Sequence, residues 1–249
     1  METAKWHKKK QHIENLANNL QSLRTRITKD LHSNSEKDRL TALVVSIMDK
    51  TGERVGNNES ASNGHFGITG LKKRHVSVNG NTVTLNYVGK SGVKHDKTFT
   101  DEKIARNLKR AIQNTPTDSV FMTSEGFKIS NDRVNRYLYD FDITAKDIRG
   151  YSANKWLISG LKNKDIPKDE KERKKLFSKT LKSVAEKIGH GKATLSNHYI
   201  IPQLESKYVD KGKLIDLANR STYELGGVIN SFVYEIGGLW KHPTESRAI

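Results

Sequence analysis

Between Ala4 and Leu31, Ile13, Leu16, Leu20, Leu23, Ile27 and Leu31 recur at three- and four-residue steps in a polar, strongly basic segment, the spacing of one helical face. One or two helices are predicted there. Leu40 to Met48 (LTALVVSIM) is the most apolar run of the first half; with Ser35 and Asp38 in front as available caps, it predicts a buried helix that delivers the chain to Arg54. From His75 to Phe99 the period falls to two: Val76 and Val78, a turn at Asn79-Gly80, then Val83, Leu85 and Tyr87 alternating with polar residues. A second tight turn, Gly89-Lys90-Ser91-Gly92, leads through Val93 to Phe99. The expectation is a three-stranded antiparallel meander with Lys90 at a turn tip.

After Thr100 the helical period returns, with Ile104, Leu108, Ala111 and Ile112 on one face, followed by a loop at Pro116 and a short strand-like run, Val120 to Met122. Ser130 and Asn131 can cap a helix running through Leu138, and Thr144 another that carries Arg149 and Trp156. Lys162 to Lys175 alternates in charge around Pro167 and reads as an exposed loop or helix edge. Leu214 to Trp240 reads as one or two apolar helices packed on the core. The chain is thus expected to be α+β and mainly α-helical, with a small three-stranded antiparallel sheet and no long-period repeat.

Composition narrows what such a chain can do. Its 249 residues are enough for a sizeable core, and 34% hydrophobic against 29% charged residues describe a soluble globular protein. Lys and Arg number 44 against 28 Asp and Glu, a formal charge of +16 with a pI near 9.8, an excess that calls for a polyanion, nucleic acid first. No apolar run is long enough to span a bilayer, and the N-terminus lacks a signal-peptide core. The expected setting is therefore intracellular, with DNA, in cytoplasm, nucleoid or nucleus, and away from membranes. The absence of cysteine removes disulfides, thiolate catalysis and Cys-built zinc sites, so a nucleophile must be oxygen or nitrogen.

Several segments carry candidate chemistry. GHGKATLSNHY places His190 nine residues before Tyr199, between two glycines; a histidine so placed also suits a helix terminus. TAKDIRGYSAN sets Lys146 and Arg149 three apart, on one helical face with Asp147 on another, which suits phosphate and equally suits a solvated surface helix. Arg54 in ERVGN could pair with Glu53 or cap the preceding helix. YVGKSG invites a phosphate-loop reading, but Thr84 stands where the Walker pattern needs its first glycine and the segment lies between strands, so nucleotide binding is rejected.

Taken in order, DKTGERVGN, HFGITGLKKRHVSV, YVGKSGVKH, TAKDIRGYSAN and IGHGKATLSNHYIIPQLESKYVDKG resemble the type IB DNA topoisomerases from about Asp49 to Tyr208. The resemblance implies the catalytic fold of the DNA breaking-rejoining enzymes and transient cleavage of one strand through a 3′-phosphotyrosine at Tyr199, followed by religation, which relaxes supercoiled DNA without ATP, metal or other cofactor. It maps the family's two active-site arginines to Arg54 and Arg149, its hairpin lysine, the general acid, to Lys90, and its histidine to His190. Tyrosine, with an ordinary pKa near 10, needs cationic neighbours or a proton acceptor to attack phosphorus at neutral pH, and guanidinium forks suit the charge on non-bridging oxygens. Lys72, Lys73 and Arg74 before the hairpin, Arg133 and Arg136 on a later helix, and Lys146 are expected to contact double-stranded DNA, which a monomer would hold.

The nearest rival is a site-specific tyrosine recombinase, which shares the fold, the arginine pair and the His-to-Tyr spacing but usually has histidine where this chain has Lys146. A non-catalytic DNA-binding relative is the other alternative. Residues 1–249 are expected to form a single catalytic domain: a basic helical lead-in over 1–48, a core over 49–208 with hairpins at about 75–99, and a helical segment over 209–249. Arg54 lies so near the start that no separate N-terminal clamp domain is expected, and DNA binding should then be weak and strongly salt-dependent.

Overall fold

The computed structural model describes residues 16, 19–162 and 164–212. Ile13 and the expected helices over Leu214 to Trp240 lie outside them. Residues 19–30 form helix α1, and Leu16, Leu20, Leu23, Ile27 and Leu31 are all buried, as one helical face should be. Helix α2 (Glu36–Thr51) begins where the Ser35 hydroxyl accepts the Asp38 amide hydrogen bond and ends at Gly52, whose φ of 66° is the left-handed stop that glycine supplies without strain. Leu40, Leu43, Val44, Ile47 and Met48 make α2 the axis of the core, each side chain of that size worth roughly 1.5–3 kcal/mol on burial.

A short helix α3 (Asn58–Ser62) and 3-10 turns at Ile68–Gly70 and Lys73–His75 lead into the sheet. Strands β1 (Val76–Asn79), β2 (Thr82–Val88) and β3 (Lys94–Thr100) pair antiparallel in the order β1-β2-β3. The register sets Val78 opposite Val83 and Tyr87 opposite His95. Val83, Leu85 and Tyr87 face inward. Helix α4 (Glu102–Asn114), capped by Asp101, packs Ile104, Ala105, Leu108 and Ala111 against this half of the molecule and touches α2, β1 and β2. Helix α5 (Asn131–Tyr139) starts at the expected Ser130 cap. Then follow α6 (Ala145–Lys162), α7 (Glu170–Ile188), α8 (Lys192–His198) and α9 (Pro202–Lys211). Among the described residues the fold is mostly helical with one small antiparallel sheet, as the periodicities predict.

Four local expectations change. The first hairpin loop is Gly80-Asn81 rather than Asn79-Gly80, because Asn79 pairs with Thr82 and Gly80 takes the first loop position with φ 58°. Val120 to Met122 makes only isolated bridges at its margins, Lys72 with Ser119 and Met122 with Lys128. The run Lys162 to Lys175 is not all exposed: α7 begins within it, and Arg173 is buried, donating to the carbonyls of Val209 at 2.7 Å and Pro167 at 3.2 Å. Finally, α6 is no solvated surface helix. Ile148, Arg149, Gly150, Tyr151, Ser152, Ala153 and Asn154 are consecutive and all buried, so it is enclosed by neighbours, α2, α5 and α7 among them.

Candidate active site

Arg54, two residues beyond Gly52, stands on the irregular segment that follows α2. Glu53 is not its partner. The Arg54 guanidinium turns to His190, with Nη2 3.2 Å from Nδ1 and 3.3 Å from Nε2 of the ring. Arg149, on α6, is only 2% exposed, and its Nη1 donates to the Gly52 carbonyl at 2.7 Å while Nη2 donates to the Ile188 carbonyl at the end of α7. Its Nε donates to His190 Nε2 at 3.3 Å. Two helix C-termini thus fix one guanidinium through their unpaired carbonyls, where a cation is favoured. Burial, and then the charge of Arg54, lower the Arg149 pKa.

His190 does both things its flanking glycines allow. It follows Gly189, the left-handed end of α7 with φ 71°, and it sits between the two arginines. Burial, then the charges of Arg149 and Arg54, push its pKa down to about 3, so the ring is neutral at physiological pH. Tyr199 closes α8, with its ring centroid 4.9 Å from that of His190 and Lys146 Nζ 5.9 Å over its face. The expectation that Lys146 and Arg149 share a face holds, yet only Lys146 is exposed. Lys90 stands on the 3-10 turn between β2 and β3, where Ser91 takes φ 63°.

Arg54, Lys90, Lys146, Arg149 and Tyr199 line one open cavity of about 280 Å³, with His65, Asn57, Ser60 and Asn131 supplying further polar groups. These five side chains, spread from position 54 to 199, therefore meet, and His190 joins them as a sixth through its bonds to both arginines. Arg54, Lys90, Lys146 and Arg149 make the cavity lining cationic. The remaining expected DNA contacts lie elsewhere. Lys72 and Arg74 pair with Asp118 at 3.7 and 3.2 Å, and Lys73 reaches the Thr115 carbonyl at 3.4 Å. Arg133 ties α5 to α2 through Asp38 at 2.7 Å and Thr41 at 2.9 Å, whereas Arg136 is exposed.

Sequence reading missed Asn154. Fully buried on α6, it donates to the Tyr199 carbonyl at 2.7 Å and accepts from the Ile201 amide at 3.0 Å, pinning the backbone on both sides of Ile200, directly after Tyr199. It stands in TAKDIRGYSAN, but nothing in its spacing marks it, since its partners are 45 and 47 residues away. Among the described residues no cluster of His, Asp and Glu could hold a metal ion, and no helix is long and apolar enough to cross a membrane.

With this geometry in place, similarities to known proteins bear on it. The profile of a family described as the catalytic core of eukaryotic DNA topoisomerase I matches residues 2–216. A DNA topoisomerase 1B of Acanthamoeba polyphaga mimivirus is 29% identical over 181 residues, 66% of this chain and 53% of its own length. DNA topoisomerase I of Monkeypox virus is 26% identical over 162 residues, covering 64% of this chain and 49% of its own. The chain thus spans about half the length of these relatives. Among solved structures, the XerH site-specific recombinase bound to difH substrate in a pre-cleavage complex superposes with a TM-score of 0.51 at 17% identity, over 82% of this chain and 53% of that one, a likeness of fold.

Proposed function

Since the chain belongs to the family of the eukaryotic DNA topoisomerase I catalytic core, we propose that it breaks and rejoins one strand of duplex DNA through a phosphotyrosine at Tyr199, and so relaxes supercoils. The observation that carries this reading is the meeting of Arg54, Lys90, Arg149 and Tyr199 at one cavity, with His190 bound to both arginines. The Tyr199 phenol gives up its proton to solvent, and its oxygen attacks phosphorus and forms an ester with the 3′ phosphate as the bond to the 5′ oxygen breaks. Arg54 and Arg149 balance the charge on the non-bridging oxygens, and His190, drawn from its arginine partners, donates a further hydrogen bond. Lys90, carried on a projecting turn, protonates the departing 5′ oxygen, a contribution typically worth 10²- to 10⁴-fold.

The reverse steps reseal the strand. One phosphodiester is exchanged for another, so the bond energy is conserved, and the scheme calls for neither ATP nor metal. Double-stranded DNA is the partner, held by a monomer through the positive surface. Lys146, over the Tyr199 ring, stands where the notable difference from recombinases lies and favours relaxation over site-specific exchange.

Purified protein incubated with supercoiled plasmid should relax it without ATP, chelator-insensitively and with no target site. Denaturant trapping should recover a protein-DNA adduct that is lost in Tyr199→Phe. An adduct that persists in that variant would overturn the assignment of the nucleophile, and strand exchange confined to one site would favour the recombinase reading.

A further inference from the structure

Behind the cavity lies a second, buried polar cluster that the chemistry above does not use. Glu53, 1% exposed, immediately precedes Arg54; one carboxylate oxygen accepts from the Tyr87 hydroxyl at 2.6 Å, and His95 Nδ1 lies 3.0 Å from the other and 2.9 Å from the first. The Tyr87 and His95 rings stack with centroids 4.8 Å apart and planes within 3°. Lys97 Nζ adds a contact to Glu53 at 3.5 Å and donates to the Lys187 carbonyl near the end of α7.

The far edge of the His95 ring lies against two glycines. A methyl group on Gly89 would come within 2.5 Å of Nε2, and one on Gly189 within 2.6 Å of Cε1. Gly89 precedes Lys90, and Gly189 precedes His190. One imidazole therefore touches the residues before two cavity side chains and, through Glu53, the residue before a third. Burying a carboxylate is costly unless it is fully bonded. Burial alone raises the Glu53 pKa, yet its bonds to His95 and Tyr87 and the nearby Lys97 hold it below the usual carboxylate range. Both Glu53 oxygens are bonded and the carboxylate is buried, which suits a support for reacting groups.

We propose that Glu53, His95 and Tyr87 form a positioning clamp that fixes the Lys90 turn against the segments bearing Arg54 and His190, an inference that rests on the strand-breaking chemistry proposed for the same site. These residues touch no reacting atom. They act by holding Lys90 where its proton reaches the 5′ oxygen, since misplacement of about 1 Å can cost on the order of 10²-fold in rate.

The test uses Glu53→Gln, His95→Asn, Tyr87→Phe and Gly89→Ala. Gly89 has φ −94°, open to alanine, so in that variant only the His95 ring stands in the way. Single-turnover adduct formation is measured on an ordinary nicked duplex and on one whose bridging 5′ oxygen is sulfur, which leaves as thiolate and needs no proton from Lys90. Noncovalent affinity is measured in a Tyr199→Phe background, and thermal unfolding beside it.

Expected are rates about 10- to 100-fold below wild type on oxygen for His95→Asn and Gly89→Ala, with smaller losses for Tyr87→Phe. Affinity should stay within about threefold, and most of the deficit should vanish on sulfur. Variants that cut oxygen duplex at the wild-type rate, or show the same deficit on both duplexes, would overturn the clamp. Should Glu53→Gln or His95→Asn unfold at the assay temperature, Gly89→Ala and Tyr87→Phe still decide. If wild-type protein forms no Tyr199 adduct, the strand-breaking reading fails and the clamp with it; if wild type cuts and the variants cut equally well, the clamp alone fails.

Discussion

His190 shows how far a residue's surroundings can move it from its ordinary behaviour. Its ring is wedged between two guanidiniums and half-buried, and its pKa falls from the usual 6.5 to about 3. Because the folded form binds its proton less readily than the unfolded chain, it contributes stability that is present above the ordinary histidine pKa and is lost as pH falls from about 6.5 toward 3. A nuclear magnetic resonance titration should find the free-protein imidazole neutral at pH 5. Addition of a nonhydrolysed duplex to Tyr199→Phe protein should raise its pKa, because the phosphate supplies the opposite charge that the arginines lack. A ring that titrates near 6.5 in the free protein would show that the guanidiniums do not crowd it as described. Arg54 and Glu53 make the complementary point: adjacent opposite charges read as a pair in sequence, yet the arginine faces the cavity and the carboxylate the core.

At the scale of elements, the site is built where helices end. Gly52 and Ile188 offer terminal carbonyls to Arg149, Gly189 turns the chain to present His190, and Tyr199 closes α8. The seven-residue α8 is too short to hold its own end rigidly, so Asn154 of α6 does it. Asn154→Ala should therefore slow adduct formation at least about tenfold while costing roughly 1–3 kcal/mol of stability, the range for a buried hydrogen-bonding group left without its partners. The pair of measurements is adduct kinetics and chemical denaturation; unchanged kinetics in a destabilised variant would reduce Asn154 to a packing role. Arg133 marks the opposite case. Expected to contact DNA, it bonds through Nε and one Nη to Thr41 and Asp38, tying α5 to α2.

Across the whole molecule the excess of positive charge, +16, should govern how DNA is held. The logarithm of affinity should fall steeply with the logarithm of salt concentration, and replacing Lys72, Lys73 or Arg74 by Ala should each flatten that slope by about one where the side chain meets a phosphate. A slope unchanged in all three would confine them to their bonds with Asp118 and Thr115. Much of this protein is legible in its sequence because it is written in local terms. The apolar period of α1 and α2, the Ser130 cap, the alternation of the meander and the turn that exposes Lys90 each depend on neighbours a few residues apart, and the ordered motifs single out Arg54, Lys90, Arg149, His190 and Tyr199. The enclosure of α6, the turning of Glu53 into the core, the grip of Asn154 on Tyr199 and the seating of His95 against Gly189 involve partners from 34 to 97 residues apart. Chain periodicity reports which side of an element is apolar, whereas which segments share that side is settled only when the whole core closes and every buried polar group has to find its partner.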